Sequence, residues 1–221
     1  MISTRKAATH LNYSNITGVY RNSFCDRIFY SLIAQITRHC LDSGIFKPIE
    51  VDEDTSINAE ILHFYSKHRL ELETIIQNQF DALVVRLPSL FGKGMKKNII
   101  YDFLYNNLLG KINKGSVFQF YNLEHLWHDI QVAIKHDLKV VNFATEPTSV
   151  AEVATTFDFE FTQTQNTVKY DIRTKYYQLF DGIQPGYLYN KNQVLLELKE
   201  FVTDCKNSNS AIPQLVLPDE C

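Results

Sequence analysis

The hydrophobic and polar positions between residues 64 and 79 have the spacing of an amphipathic helix. Tyr65 and Arg69 lie four residues apart on one face of this segment, and Leu72 and Ile76 continue that face toward a core. The pattern therefore predicts a helix that places a tyrosine one turn from a fixed cation.

A short apolar run after this helix predicts a buried strand. The run covers Leu83 to Val85, stops at Pro88 and opens into the loop Gly92-Lys93-Gly94. The strand is apolar on both faces, which is typical of a parallel sheet covered by helices on both sides. The order of helix, strand and loop indicates an α/β fold.

Apolar spacing predicts further elements in the rest of the chain. Strands are expected at 117–121 and 140–143, and helices at 24–40, 97–109, 123–136, 170–180 and 193–203. In the helix at 123–136, the residues expected to face inward are Leu126, Trp127, Ile130 and Ile134. Ser149 and Glu152 have the spacing of a capping box. We expect a loop at 44–58 and an extended tail at 207–221.

Composition narrows the class of protein. The 221 residues are 45% apolar and 21% charged, as in an ordinary globular domain. The net charge is -3 and the basic residues are scattered, which argues against a nucleic-acid partner. Neither a signal segment nor a membrane span is evident, so we expect a cytoplasmic protein without a membrane partner. Four widely spaced cysteines without a C-x-x-C pair favour reduced thiols: Cys25, Cys40, Cys205 and Cys221.

The tyrosine and arginine of the first helix could form an acid/base unit. A nearby cation favours the ionised form of a tyrosine hydroxyl, which can then take a proton from a substrate hydroxyl. In the alternative interpretation, Tyr65 is a half-buried helix tyrosine, and Arg69 is solvated or paired with Glu73 one turn further on. The spacing alone leaves both interpretations open.

Two other polar clusters have a functional and a structural interpretation. Lysines near Gly94, among them Lys93 and Lys97, could hold a diphosphate, or they could be a solvated face. His125 and His128 lie three residues apart and could turn two nitrogens toward a metal. No third ligand is evident in the sequence, so we expect no metal.

Four segments occur in an order that resembles a known family. They are Tyr65-x-x-x-Arg69, VVRLPSLFGKG from Val84, QFYNLEHLWHDIQVAI from Gln119 and VVNFATEPTSVAEVA from Val140. Together they resemble the extended short-chain dehydrogenase/reductases, and more narrowly the NAD-dependent epimerase/dehydratase group that works on nucleotide sugars. The resemblance covers about Ile61 to Ala154, with a weaker extension to Thr203.

The resemblance implies a partial Rossmann-like parallel sheet with helices and a small substrate-binding lobe. Residues 1–206 would form one truncated NAD(P)-binding domain that ends in this lobe. The implied cofactor is NAD or NADP, and the implied substrate is a nucleotide sugar. The implied site residues are Tyr65, Arg69 and Thr4 for catalysis, Pro88 and Leu90 for the cofactor, and Ser89, Lys93 and Lys97 for the substrate.

The sequence departs from the family pattern at three points. It contains no GxxGxxG loop, Arg69 stands where the family has lysine, and a long insertion separates Thr4 from Tyr65. We therefore expect the chain to bind a nicotinamide nucleotide poorly by itself, and a second chain or a homodimer to supply the cofactor lobe. The alternatives are a non-catalytic binding module derived from the family and a fragment of a longer chain.

Overall fold

The computed structural model describes residues 34–35, 49–58, 60, 64–95, 98–107, 109–157, 159 and 167–207, with the backbone alone at 34, 35, 49, 65 and 111. The helices are α1 (Phe64–Gln79), α2 (Ile99–Leu104), α3 (Leu126–Lys135), α4 (Val150–Thr155) and α5 (Lys191–Asn207). The strands are β1 (Ala34–Gln35), β2 (Ile49–Val51), β3 (Val84–Leu87), β4 (Ser89–Phe91), β5 (Val117–Phe118), β6 (Phe120–Asn122), β7 (Val140–Asn142), β8 (Thr148–Ser149) and β9 (Asp171–Ile172).

Strands β1, β3 and β7 form a parallel sheet in the order β1-β3-β7. Val85 and Leu87 of β3 pack on one face with Ala133 of α3, whereas Arg86 meets α1 through Glu73 on the other face. Because β3 is covered on both sides, its apolar residues are buried without alternation. This arrangement confirms the predicted α/β fold.

The other strands form two-stranded pairs around this sheet. β4 pairs with β6 and β2 with β9, both in parallel, while β5 and β8 are antiparallel. In β6, Tyr121 packs with the residues of the central sheet, and Phe120 packs in a second core with α2, α4 and α5. The period of two in a strand thus lets β6 contribute to both cores.

Several predicted elements match the structure closely. α1 occupies the predicted range, α5 contains the predicted helix at 193–203, and β7 lies within 140–143. The capping box is also confirmed, because the Ser149 side chain accepts from the Glu152 amide while the Glu152 carboxylate accepts from the Ser149 amide. These elements have strong local signals.

Other predicted elements are wrong in type or extent. The two described residues of the helix expected at 24–40 are strand β1, the loop expected at 44–58 contains β2, and the helix expected at 170–180 is β9 followed by a short 3-10 turn at Tyr177–Phe180. In each case the strand is only two or three residues long, too short for a period of two to show in the sequence. Residues 208–221 of the expected tail lie outside the described part.

Helix lengths and the side chains they bury also differ from the prediction. α2 ends at Leu104 and not at residue 109, because Asn106 adopts a left-handed backbone with φ 52. The strand expected at 117–121 divides at Gln119 into β5 and β6, and a separate β4 follows Pro88. The helix expected at 123–136 begins as a 3-10 turn, and its Trp127 is 60% exposed instead of inward. Leu72 of α1 is likewise exposed.

Candidate functional site

The candidate site lies at the carboxyl end of the parallel sheet. Pro88 and Ser89 follow β3 directly, and Phe143 to Thr145 follow β7 at the same edge. Pro88 is buried, whereas Ser89 and Leu90 are partly exposed. In open α/β sheets the ligand binds outside the carboxyl ends of the strands, so this edge is where the fold places a site.

A buried ion pair sets the position of α1 along β3. The guanidinium of Arg86 donates to both carboxylate oxygens of Glu73, over 2.5 Å from Nη2 and 3.2 Å from Nε. Their side chains are 14% and 5% exposed. Since only four residues separate the end of α1 from the start of β3, the two elements run antiparallel with Glu73 and Arg86 side by side.

The Glu73–Arg86 ion pair provides a reference point for the positions of Tyr65 along α1 and Ser89 beyond β3. Tyr65 lies eight residues before Glu73, or ~12 Å along the helix, and Ser89 lies three residues after Arg86, or ~10 Å along the chain. Tyr65 and Ser89 therefore extend from the ion pair toward the same edge of the sheet by similar lengths. Arg69 is partly buried one turn nearer the pair. Thr4 and Lys97 lie outside the described residues.

The loop after β4 is held at both ends. The Asn98 side chain donates to the carbonyl of Leu90 and also caps α2 by accepting from the Tyr101 amide. Gly92 and Gly94 have φ values of 140 and 84, which residues with a Cβ rarely adopt. Lys93, between them, is exposed. The structure thus places Ser89, the first residue of β4, and Lys93, in the loop that follows β4, on one anchored segment.

A glutamate that the sequence analysis missed closes the outer edge of β7. One carboxylate oxygen of Glu53 accepts from the Asn142 amide at 2.8 Å and from the Thr174 hydroxyl at 2.6 Å, and the other accepts from the Lys175 amide at 3.0 Å. The segment after β2 therefore binds both the end of β7 and the chain beyond β9. Charged pairs flank it, Glu50 with Arg173 and Asp54 with Lys175.

Polar groups without partners lie at this same end of β7. Asn142 Oδ1 and Thr145 Oγ1 are buried and have no hydrogen-bond partner among the described residues. The side-chain nitrogen of Asn142, in contrast, has a partner, because it donates to the carbonyl of Arg173 at 2.8 Å. Buried polar atoms of this kind are the places where an ordered water completes a site.

A second polar cluster joins β6, α3 and α5. The Tyr121 and Tyr189 hydroxyls donate to Asp129, which is 1% exposed, and burial is the main cause that raises the pKa of both tyrosines. His125 Nε2 lies 2.9 and 3.0 Å from the Glu197 carboxylate oxygens, and its ring stacks on Tyr189.

In this second cluster, the two histidines with the spacing of a metal-binding pair contact different residues. His125 contacts Glu197, whereas His128 Nδ1 contacts Asp129 at 3.0 Å. Within the described residues, no group of three or more His, Cys, Asp or Glu side chains could hold a metal ion. His125 and His128 thus contact two different carboxylates, those of Glu197 and Asp129.

The missed residues share a weak sequence signal. Gln119 is the single polar residue of the segment VFQFY, and Asp129 lies in the largely apolar segment LWHDIQVAI; both are almost fully buried. A buried polar residue must be hydrogen-bonded, so such positions point to a local network. The role of Glu53 had no comparable signal, because it lies in an acidic run that also fits a solvated loop.

Comparison with solved structures identifies the fold. UDP-galactose 4-epimerase matches with a TM-score of 0.55 and 12% identity over 82% of this chain and 63% of that chain. RMD from Pseudomonas aeruginosa, complexed with NADPH, matches at 0.54 and 11% over 81% and 66%. UDP-glucuronic acid 4-epimerase from Bacillus cereus, in complex with NAD, matches at 0.50 and 12% over 81% and 62%.

These likenesses confirm the predicted Rossmann-like α/β fold. The chain spans less than two thirds of the length of each of the three matched proteins. No protein-family model matches the chain, and no curated protein matches it in sequence. Among the described residues, the helices lack the combination of length and apolar character needed to cross a membrane.

Proposed function

We propose that this chain binds a nucleotide sugar at the carboxyl edge of its sheet and supports NAD(P)-dependent epimerase/dehydratase chemistry there. The observation that carries the proposal is the Glu73–Arg86 ion pair, because it brings the start of α1 level with Ser89. The start of α1, which carries Tyr65 and Arg69, then lies toward the same edge of the sheet as the substrate loop from Ser89 to Lys93, and this supports the proposal.

Each residue has a role that its chemistry suits. The Tyr65 hydroxyl would exchange a proton with a sugar hydroxyl, and Arg69 would favour the ionised form of that hydroxyl. Ser89 would bind the sugar, and Lys93 with Lys97 would bind the diphosphate as cations. Pro88 and Leu90 would border the cofactor. A nicotinamide nucleotide, when bound, supplies hydride transfer.

The residues at hand fit this cofactor only in part. Gly92 and Gly94, the two glycines of the site, lie in the loop after β4, and the sequence has no GxxGxxG loop to hold a pyrophosphate. We further propose that a second chain or a homodimer completes the cofactor lobe and that the protein is cytoplasmic. Residues 1–206 would form one truncated domain with a C-terminal substrate lobe.

A second candidate function is a non-catalytic binding module that retains the substrate lobe. Arg69 favours it, because a planar guanidinium meets a ribose differently from the compact ammonium of lysine. Both candidates predict that a nucleotide sugar binds. They differ in whether Tyr65 has a chemical role.

Binding is tested first, by calorimetric titration of the 221-residue chain with UDP and with UDP-galactose. We expect Ser89→Ala to weaken UDP-galactose binding by about tenfold and UDP binding by less, since Ser89 would contact the sugar. The matched control is Ser56→Ala, which alters an exposed serine. If neither ligand binds the unaltered chain, the proposal of a nucleotide-sugar site is wrong.

Catalysis is tested by Tyr65→Phe, which removes the transferable proton and keeps the ring. We expect conversion of UDP-galactose, assayed in the presence of a cofactor-binding partner chain, to fall by roughly 100-fold or more with little change in stability. Arg69→Lys should retain conversion, because it restores the cation of the family pattern. Undiminished conversion by Tyr65→Phe would favour the binding module.

A further inference from the structure

Gln119 is a buried amide whose side chain joins two separate segments. It lies between β5 and β6 and is 2% exposed. Its Nε2 donates to the carbonyls of Thr145 at 2.5 Å and Ile172 at 2.6 Å, and its Oε1 accepts from the Ile172 amide at 2.8 Å. All of its donor hydrogens are used, and its oxygen is satisfied.

The backbone of the same residue holds Ser89. The carbonyl of Gln119 accepts from the Ser89 amide at 3.2 Å, and β4 and β6 continue side by side from that point, with Ser89 opposite Phe120. Gln119 therefore joins three parts of the chain. Its side chain binds the segment after β7 and strand β9, and its backbone carbonyl binds Ser89 in the segment after β3.

Only a primary amide side chain can make these contacts. The position requires two donors toward carbonyl oxygens and one acceptor toward an amide, which glutamine supplies and glutamate or methionine does not. In a buried position, a lost partner leaves backbone groups of Thr145 and Ile172 without hydrogen bonds. The contacts are thus specific in chemistry as well as in place.

We propose that Gln119 is the positioning residue for Ser89, holding the substrate loop at a fixed distance from the end of β7. The inference rests on the proposed function for its link to substrate, because Ser89 is there the residue that binds the sugar. The claim that Gln119 holds Ser89 in place does not depend on that function. Removing the hydrogen bonds of the Gln119 side chain should make the Ser89 amide exchange faster.

The experiment is amide hydrogen exchange, resolved by NMR, on the full chain with Gln119→Met, Gln119→Glu and the control Gln131→Met, which alters an exposed glutamine of α3. We expect exchange about tenfold faster or more at Ser89 and Ile172 in both Gln119 variants. The Val84 amide, which bonds to the carbonyl of Lys139 at the opposite end of the sheet, should keep its protection. The control should change none of the three.

Amide exchange measured over a range of pH values distinguishes positioning by the Gln119 hydrogen bonds from a general effect of the substitution on packing. When the introduced carboxyl of Gln119→Glu takes up a proton, it regains one donor and one acceptor, so protection at Ser89 should return as the pH falls. Gln119→Met should show no such recovery. The inference is overturned if Ser89 stays protected while Ile172 opens, or if all three amides open together.

The binding of UDP-galactose is measured on the same variants and reports on the proposed function separately. If the unaltered chain binds, Gln119→Met should weaken binding by about tenfold, like Ser89→Ala. If it binds nothing, the proposed function fails, and the exchange data still decide whether Gln119 positions Ser89.

Discussion

His125 and Glu197 form the ionisable contact by which α5 is attached to the start of α3. Glu197 accepts from the side chains of Asn122 and Gln193 as well, each at 3.0 Å, so its carboxylate is fully engaged. The groups that face His125 are Glu197 on α5, Asp129 on α3 and the neighbouring Glu124. All of them are acidic, which favours a protonated imidazole.

The pKa shifts give the contact a defined pH range. The hydrogen bond with Glu197 raises the pKa of His125 and outweighs the opposing effect of burial. Burial is the largest single effect on Glu197, but the hydrogen bonds from His125, Asn122 and Gln193 together lower its pKa. The stabilisation of the folded state by protonated His125 is therefore fully present below the unfolded pKa of about 6.5. It is lost as the pH rises through the folded pKa.

We expect His125→Gln to be most destabilising near pH 5.5 and least destabilising near pH 8.5. As the pH rises through the raised pKa of His125, the imidazole of the unaltered chain loses its proton, and with it the favourable charge interaction with Glu197. Urea unfolding at a series of pH values measures the difference, with His136→Gln as a control at an exposed histidine. A difference that stays constant from pH 5.5 to 8.5 would show that His125 acts by packing on Tyr189 alone.

At the scale of elements, the join between α1 and β3 depends on one ion pair. Glu73 and Arg86 are both largely buried, so removal of either leaves an uncompensated charge in the interior. We expect Glu73→Leu to cost about 3 kcal/mol of unfolding free energy. The double variant Glu73→Leu with Arg86→Met should cost less than Glu73→Leu alone, since no charge remains buried.

Urea unfolding of the single and double variants measures this difference. Glu71→Gln is the control, since Glu71 is an exposed glutamate on the same helix. A cost for Glu73→Leu that matches the control would mean that the pair does not set the position of α1. The proposed function would then lose the observation that brings the start of α1 level with Ser89.

The same two elements show how much of the fold can be predicted from the sequence. α1 spans 16 residues and β3 is a buried run ended by Pro88, and both patterns are local. β2 and β9 pair with each other across more than 100 residues, with two or three residues each, so neither carries a periodic signal. Their pairing is a tertiary event that local propensity does not determine.

The candidate site likewise contains some residues that the sequence could predict and others that it could not. Ser89 and Lys93 follow a predicted strand and turn, so a family pattern could point to them. Gln119 and Glu53 act through backbone groups of residues 26 to 122 positions away in the chain. Apart from the Thr174 hydroxyl, their partners are main-chain atoms, which leave no trace in the identity of the partner residues.

At the scale of the whole molecule, the two cores correspond to two tasks. The core around β3, β7 and α3 supports the carboxyl edge of the sheet, and the core around α2, α4 and α5 supports the β4–β6 pair that carries Ser89. Each is built from buried apolar residues within this chain. We therefore expect the substrate half of the site to form without a cofactor.

The final prediction is that the 221-residue chain binds UDP-galactose but neither NAD(H) nor NADP(H) at micromolar concentrations. A dinucleotide needs backbone amides aimed at its pyrophosphate, which a glycine-rich loop at a helix start supplies and this sequence lacks. Calorimetry with each of these ligands on one preparation makes the comparison, and UDP binding controls for a folded site. Micromolar binding of either nicotinamide nucleotide would contradict the requirement for a second chain, because the 221 residues would then hold the cofactor by themselves.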